Sequence, residues 1–218
     1  MAKRPKYRLR GRALSRRRPS LDPRPRVLVV CEGRVTEPEY FDAFRREEEN
    51  LLVEVLIDSE GGAPKTLVER AALRKRKAEE EARRARDENL KYDEVWCVFD
   101  VDQHPHLPDA RQQARDNGIK LAISNPCFEL WLLLHFREQN AHIERKPVAT
   151  LLKTHIRNYH KHGPFAALRG RYPEAVQRAQ ILDRRHADIG SESGNPSTSV
   201  YLLTERIREF GRKRGYRT

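Results

Sequence analysis

Three carboxylates directly follow apolar runs in this sequence, and their spacing could hold a divalent metal ion. Residues 27–30 (VLVV) lead to Glu32, and residues 95–99 (VWCVF) lead to Asp100 and Asp102. Short apolar runs bounded by polar residues are typical of buried strands in a parallel sheet, where ligands bind outside the carboxyl ends of the strands. We therefore expect Glu32, Asp100 and Asp102 to meet at one edge of a sheet.

Repulsion between these carboxylates is the physical reason for expecting a cation. Three carboxylates at adjoining strand ends raise one another's pKa unless a cation or a shared proton neutralises them. Mg²⁺ and Mn²⁺ prefer oxygen ligands, and Mg²⁺ commonly combines one or two protein carboxylates with substrate phosphates, so phosphate chemistry is the leading hypothesis. An isolated Asp-x-Asp such as Asp100 and Asp102 is more often a helix cap or a solvated loop end. The additional carboxylate of Glu32 favours the metal site.

The composition is that of a single domain of ordinary size. The chain has 218 residues, 38% of them hydrophobic and 35% charged, and no apolar run approaches the roughly 18 residues of a membrane span. The N-terminal segment lacks the apolar core of a secretory signal, so we expect a cytoplasmic protein without a membrane segment. The cysteines have neither disulfide nor zinc spacing, and we expect them to be reduced and buried (Cys31, Cys97 and Cys127).

Most of the net charge of +12 belongs to the N-terminal segment. Residues 1–26 contain eleven Lys or Arg and one Asp. With several prolines and few large apolar residues, residues 1–25 are predicted to be a disordered basic arm. Such an arm could bind nucleic acid through its phosphates, and a solvated tail or a recruitment segment is an equally good interpretation.

Alternating strand and helix patterns predict an α/β fold. Residues 26–136 should form a mostly parallel, four-stranded sheet flanked by helices, since the element order is βαβαβαβ. The predicted strands are 27–30, 53–58, 95–100 and 120–124, and the longest helix is 65–90. Residues 137–218 should form a helical C-terminal extension that packs on this core. Its predicted helices include 147–159, 173–186 and 197–210, with Ser197 or Thr198 as the cap of the last helix. Trp96, Trp131 and His135 are expected in the core.

Four passages, in their order, resemble the RloB family. They are residues 31–41 (CEGRVTEPEYF), 99–104 (FDVDQH), 123–136 (ISNPCFELWLLLHF) and 195–198 (NPST). The resemblance extends over about residues 26–210. It implies a bacterial protein linked to restriction-modification and abortive-infection loci, with an ABC-type, RloA-like ATPase as partner. It also implies a Toprim-like fold, as in topoisomerases, primases and related nucleases.

The resemblance assigns roles to individual residues. A Toprim site uses a Glu after its first strand and an Asp-x-Asp after a later strand, and Glu32, Asp100 and Asp102 match those positions. Glu129 is the candidate for a second cation, although a carboxylate in the first turn of a helix is also stabilised by the helix dipole. The remaining candidates are for substrate binding: Ser124, Asn125, Asn195, Ser197, Thr198 and His104. The two Asn-Pro pairs among them could equally be structural, and His104 could simply face water.

These observations lead to a preferred function and two rivals. The preferred hypothesis is a nuclease dependent on Mg²⁺ or Mn²⁺ that cleaves DNA or RNA in anti-phage defence. The alternative is a non-catalytic nucleic-acid-binding or effector subunit of an ATPase-containing complex. A primase-like polymerase would require a nucleotide site that we do not identify in the sequence. The sequence does not distinguish a monomer from a homo-oligomer.

Overall fold

The computed structural model describes residues 25–48, 53–57, 63–101, 107–156, 159, 165–188 and 194–212. Within these residues five strands form one sheet: β1 (Val27–Cys31), β2 (Val53–Ile57), β3 (Glu94–Asp100), β4 (Lys120–Asn125) and β5 (Ser197–Thr198). The strand order is β2-β1-β3-β4-β5. Strands β2, β1, β3 and β4 run parallel to one another, and β5 runs antiparallel to β4. This confirms the predicted α/β fold with a mostly parallel sheet.

The helices described between and after these strands cover the sheet. They are α1 (Thr36–Glu47), α2 (Pro64–Ala85), α3 (Leu107–Asp116), α4 (Glu129–Leu134), α5 (Arg145–His155), α6 (Phe165–Leu168), α7 (Tyr172–Asp188) and α8 (Val200–Arg212). None of the helices described is long and apolar enough to cross a membrane. The predicted N-terminal arm, apart from its last residue, lies outside the described residues.

The start of the last helix was predicted wrongly. Ser197 and Thr198 are not its first residues or its cap position, because they form β5 and pair with Asn125 and Ser124 of β4. The helix begins at Val200, whose N–H donates to the Thr198 Oγ1 at 3.4 Å. An available strand edge therefore determined the conformation of this segment more strongly than its local sequence pattern.

The long helix α2 is also shorter than predicted. It ends at Ala85, and Arg86 adopts a left-handed conformation with φ of 55°. The next residues form a short 3₁₀ turn, Glu88–Leu90, where the side chain of Asp87 accepts a bond from the N–H of Asn89. The charged sequence through residue 90 contains no Gly or Pro, so this break was not visible in the pattern.

The core has two layers, one on each face of the sheet. On one face, residues such as Val27 and Val29 pack against α1, α4, α5, α7 and α8. On the other face, Leu28 and Val30 pack against α2 and α3. This alternation is the period of two expected for strands that are buried on both faces. The predicted core residues are confirmed as buried, and the three cysteines are unbridged (Trp96, Trp131, His135, Cys31, Cys97 and Cys127).

Glu94 anchors the amino end of β3, opposite the end that carries Asp100. Its carboxylate accepts hydrogen bonds from Lys120 Nζ at 2.8 Å, Arg206 Nε at 2.6 Å and Trp96 Nε1 at 2.9 Å. Burial alone would raise the pKa of Glu94, but these donors lower it below its usual value. The carboxylate therefore connects β3 to β4 and to α8.

Candidate functional site

Glu32 and Asp100 meet at the carboxyl end of the sheet. Glu32 follows β1, and its N–H donates to the carbonyl oxygen of Val98 in β3 at 3.0 Å. The N–H of Asp100 is in turn 3.4 Å from the Glu32 Oε2 and donates to it. The parallel pairing of β1 with β3 thus brings together two of the three carboxylates named from the sequence.

Glu37 is a further carboxylate at this edge. It is buried in the first turn of α1, and a Cβ added at Gly33 would overlap its carboxyl group. Gly33 is therefore required for the close approach of Glu37 to the loop that follows β1. From the sequence, Glu37 could be explained as a helix-start residue. In the sequence, Gly33, four residues before Glu37, was the feature that could have indicated this close approach.

The electrostatic environment of Asp100 is unfavourable for a negative charge. Burial raises the pKa of the Asp100 carboxyl well above its usual range, and Glu37 raises it further. Glu129 and Glu32 act in the same direction, whereas Arg145 opposes them. The Asp100 side chain is 12% exposed, so solvent screens these charges only weakly. Three neighbouring carboxylates therefore disfavour the negative charge on Asp100 at the end of the sheet.

Arg145 supplies the positive charge that Asp100 contacts. It is the first residue of α5, and its Nη2 donates to the Asp100 Oδ2 at 3.1 Å. The Arg145 side chain is 47% exposed, so the guanidinium is accessible from solvent as well as from the site. Sequence reasoning missed Arg145 because it follows Asp100 by 45 residues and belongs to no motif near the acidic residues.

Glu129 is another carboxylate near Asp100. It is the first residue of α4 and is buried, and its Oε1 accepts a hydrogen bond from the Tyr159 hydroxyl at 3.4 Å. Both interpretations made from the sequence fit this placement, since Glu129 is in a first helical turn and its charge acts on Asp100. Burial, with Glu129 next, raises the pKa of Tyr159, which keeps the phenol protonated as a donor. Tyr159 carried no signal in the sequence.

The hydroxyls of Ser124 and Thr198 form a hydrogen bond with each other. Ser124 is in register with Asp100 across β3 and β4, and Thr198 is in register with Ser124 across β4 and β5. Their oxygens lie 2.9 Å apart in a buried hydrogen bond. Asn125 pairs with Ser197 in the next position of the same ladder. These four residues form the border of the site beside Asp100, and their predicted role in substrate binding stays a prediction.

Asn195 has a structural contact for each of its amide atoms. Its Oδ1 accepts from the Ile143 N–H at 3.0 Å, and its Nδ2 donates to the Ile143 carbonyl at 2.9 Å. The amide thereby ties the segment before β5 to the segment before α5. Asn195 is a positioning residue for both segments, since its side chain is already engaged in this way.

The residues near the site supply the oxygen atoms that a hard cation such as Mg²⁺ prefers, but the described residues do not form a complete set of ligands. Glu32 and Asp100 supply hard oxygen atoms, and the charge on Asp100 is unfavourable without a counter-charge. Within the described part of the chain, no three His, Cys, Asp or Glu side chains are grouped closely enough to hold a metal ion. Asp102 and His104 lie outside that part, so their predicted roles stay predictions.

Comparison with known proteins identifies one family. A family model described as RloB-like protein matches residues 27–207, which is most of the chain and includes every described strand. No curated protein and no solved structure matches the chain. The matched segment contains the acidic residues, Arg145 and the β5 segment described above. The chain belongs to the RloB-like family.

Proposed function

We propose that the protein is a Toprim-like, metal-dependent nuclease that hydrolyses phosphodiester bonds in DNA or RNA, tRNA included. The observation that carries this proposal is the buried Asp100 carboxylate surrounded by Glu37, Glu129 and Glu32 at the carboxyl ends of parallel strands. Enzymes of open α/β folds place their sites at this edge. The family resemblance supports a role in bacterial anti-phage defence or abortive infection.

The carboxylates would hold Mg²⁺ or Mn²⁺. Glu32, Asp100 and Asp102 are the proposed ligands, and Glu129 is the proposed additional ligand for a second cation. When bound, such a cation supplies a nucleophilic water and stabilises the charge that develops on a phosphate. Glu32 follows its strand directly and is partly exposed, so its carboxylate could also move a proton as a general base or acid.

Arg145 would bind the substrate phosphate. Its guanidinium is next to Asp100 and is partly open to solvent. A planar guanidinium forms bidentate hydrogen bonds with phosphate as well as with carboxylate. We propose that Arg145 turns from Asp100 to a phosphate oxygen when substrate is bound, which would lower the barrier by stabilising negative charge.

The test is cleavage of labelled DNA and tRNA by purified protein with Mg²⁺ or Mn²⁺. Because the toxicity of a nuclease would require control, the assay is run with and without an ABC-type ATPase of the kind that the family resemblance implies as a partner. Glu32→Ala and Asp100→Asn should each lower the cleavage rate about a hundredfold or more, as expected for loss of a catalytic group. Asp116→Asn, which removes an exposed carboxylate from α3, is the matched control. Equal rates for all variants would contradict the proposal.

A non-catalytic nucleic-acid-binding or effector subunit of an ATPase-containing complex is the second candidate. One observation favours it: Arg145 already provides a counter-charge for Asp100. For this candidate, Glu32→Ala should retain full protection against phage when the ATPase is present. For the nuclease, the same variant should lose protection while its circular dichroism spectrum is unchanged. Cytoplasmic location and self-association stay predictions in both cases.

A further inference from the structure

A cleft of about 470 Å³ lies beside β5, on the side away from Asp100. Arg111 and Arg115 of α3 line it together with Ser197 and Ser199 at β5. Apolar side chains from the edge of β4 and from α8 complete the lining, among them Leu202, which is 46% exposed. The cleft thus combines a cationic wall, hydroxyls and an apolar surface, which is typical of a site for an amphipathic anion.

The edge of β4 presents a backbone donor and acceptor in this cleft. The Ile123 N–H donates to the Ser199 Oγ at 2.8 Å, and the Ile123 carbonyl accepts from the Ser199 N–H at 2.9 Å. The Ile123 backbone therefore faces away from β3. Backbone groups alternate in direction along a strand, so the N–H and C=O of Leu121 face the same edge. Among the described residues, none forms a hydrogen bond with these two Leu121 groups.

Charge favours a phosphate-bearing ligand. Arg111 and Arg115 are four residues apart on α3, so their side chains emerge from the same face of the helix about 5–6 Å apart. Arg115 donates to the neutral side chain of Gln112, and it forms no ion pair with another described residue. The cleft also contains Asp183, whose carboxylate accepts a hydrogen bond from the Tyr201 hydroxyl at 2.7 Å. The lining residues therefore carry two formal positive charges, from Arg111 and Arg115, and one formal negative charge, from Asp183.

The position of the cleft connects it to the proposed active site. The ends of β4 and β5 lie between the two, because Asp100 of β3 is in register with Ser124 of β4, which pairs with Thr198 of β5. Ser197, on the same two-residue strand, lines the cleft. A linear polymer whose reacting phosphate lies near Asp100 could continue over β5 and place its next residues in the cleft.

We infer that this cleft binds a single-stranded segment of the nucleic acid substrate, next to the bond that is cleaved. The phosphates contact Arg111 and Arg115, and one base lies against Leu202. The edge of that base bonds to the N–H and C=O of Leu121, since bases such as adenine carry an adjacent donor and acceptor. The inference names a binding subsite for the substrate class of the proposed function, and it rests on that function.

An extended peptide fits the cleft less well. Addition of a strand to a sheet edge depends on a row of main-chain hydrogen bonds. Here the row is one residue long, because Ile123 is already paired with Ser199 and the Ile119 N–H donates to the Ala114 carbonyl at 2.8 Å. One donor and one acceptor match a single base better than a peptide strand.

Fluorescence anisotropy in EDTA tests the inference without any cleavage. The probes are labelled single-stranded RNA and DNA of mixed sequence, about twelve nucleotides long. Arg111→Ala/Arg115→Ala should weaken binding about tenfold and reduce the slope of log K against log salt by about 1.4, which corresponds to two phosphate contacts on a single strand. Leu202→Glu should weaken binding at least as much. Its exposed side chain can be replaced without opening the core.

The matched control is Arg70→Ala/Arg74→Ala on α2. It removes two charges at the same helical spacing, from one partly exposed and one exposed position, as in the test pair. Equal weakening in both double variants would mean general attraction by positive charge and would overturn the inference. Unchanged binding in the cleft variants would overturn it too, and the cleft would then be open to a peptide partner.

The two proposals fail in different ways. Glu32→Ala should bind the probes in EDTA at least as tightly as the wild type, because it removes a negative charge from the acidic site and leaves the cleft residues in place. If the probes bind as expected but no metal supports cleavage, the nuclease proposal fails and the cleft remains a nucleic-acid site. If cleavage depends on Glu32 but probe binding does not depend on Arg111 and Arg115, only the cleft inference fails.

Discussion

Replacing Asp100 by Asn should stabilise the protein when no divalent metal ion is present. Burial raises the pKa of Asp100, nearby Glu37 raises it further, and Arg145 lowers it only in part. A carboxyl group whose pKa is raised by folding binds its proton more tightly in the native state than in the unfolded chain. The free energy of unfolding therefore falls as the pH rises from the unfolded pKa to the folded pKa, and the loss is complete above both. An Asn amide avoids this loss.

Two opposing contributions determine the size of the effect. Each pH unit by which the folded pKa exceeds the unfolded pKa lowers the free energy of unfolding by about 1.4 kcal/mol once the group is ionised. The variant also loses the ion pair with Arg145, but that partner is 47% exposed. Exposed pairs contribute only about 0–1 kcal/mol. Since the pKa of Asp100 is raised well above its usual value, the first contribution is larger. We expect Tm to rise by about 3 °C or more at neutral pH, given about 2–4 °C per kcal/mol for a chain of this size.

Thermal unfolding followed by circular dichroism measures this directly. In EDTA, Asp100→Asn should melt above the wild type, whereas Asp116→Asn, the exposed control on α3, should melt with it. With Mg²⁺ or Mn²⁺ the order should reverse. A ligand at a hundredfold excess over its Kd adds about 2.7 kcal/mol, which the wild type gains and the variant largely loses.

Two results would refute this reasoning. If Asp100→Asn melts below the wild type in EDTA, the contact with Arg145 stabilises the carboxylate more than burial and the neighbouring carboxylates destabilise it. If the metal ion raises the Tm of both proteins equally, it binds somewhere other than Asp100.

Three further substitutions have defined outcomes. Gly33→Ala should lower Tm and weaken stabilisation by the metal ion, because the added Cβ meets the Glu37 carboxyl. In a Glu37→Ala background the same substitution should have little effect on either quantity. Equal losses of Tm in both backgrounds would exclude that clash. Glu94→Gln should cost about 1–3 kcal/mol by urea unfolding at neutral pH, as expected when buried hydrogen bonds to a charged group are lost. Because folding lowers the pKa of Glu94, this difference in the free energy of unfolding should be complete above the unfolded pKa and vanish as the pH falls through the folded pKa. A difference that does not change with pH would show that it does not come from the charge on Glu94. Asn195→Ala should cost about 1–3 kcal/mol through its two bonds to Ile143 without changing metal binding, and a large change in metal affinity would show a direct role in the site.

The sequence was sufficient to predict the four parallel strands and the meeting of Glu32 with Asp100 at the end of the sheet. Short apolar runs bounded by polar residues predicted which segments are strands, and in the observed parallel order the end of β1 lies beside the end of β3. The proximity of Glu32 and Asp100 follows from that order alone. The buried state of Trp131 and His135 follows in the same way from their place in an apolar helix.

The rest of the site depends on contacts between distant segments. Arg145 reaches Asp100 because α5 begins at that point in the fold, and no local pattern reports where a helix will dock. Tyr159 meets Glu129 for the same reason. The β5 segment has helix-cap residues, yet it forms a strand because an unpaired edge of β4 is available to it. In each case tertiary contacts decided what local sequence left open.

The pairing of Ser124 with Thr198 has a consequence for how the protein is made. These residues are 74 positions apart, so the border of the acidic site needs a segment that is translated long after β3 and β4. A nascent chain that has completed the four parallel strands still lacks the strand that closes the edge beside Asp100. If the chain has the nuclease function proposed above, its site would be complete only after most of the chain has left the ribosome, and partly synthesised copies would be inactive.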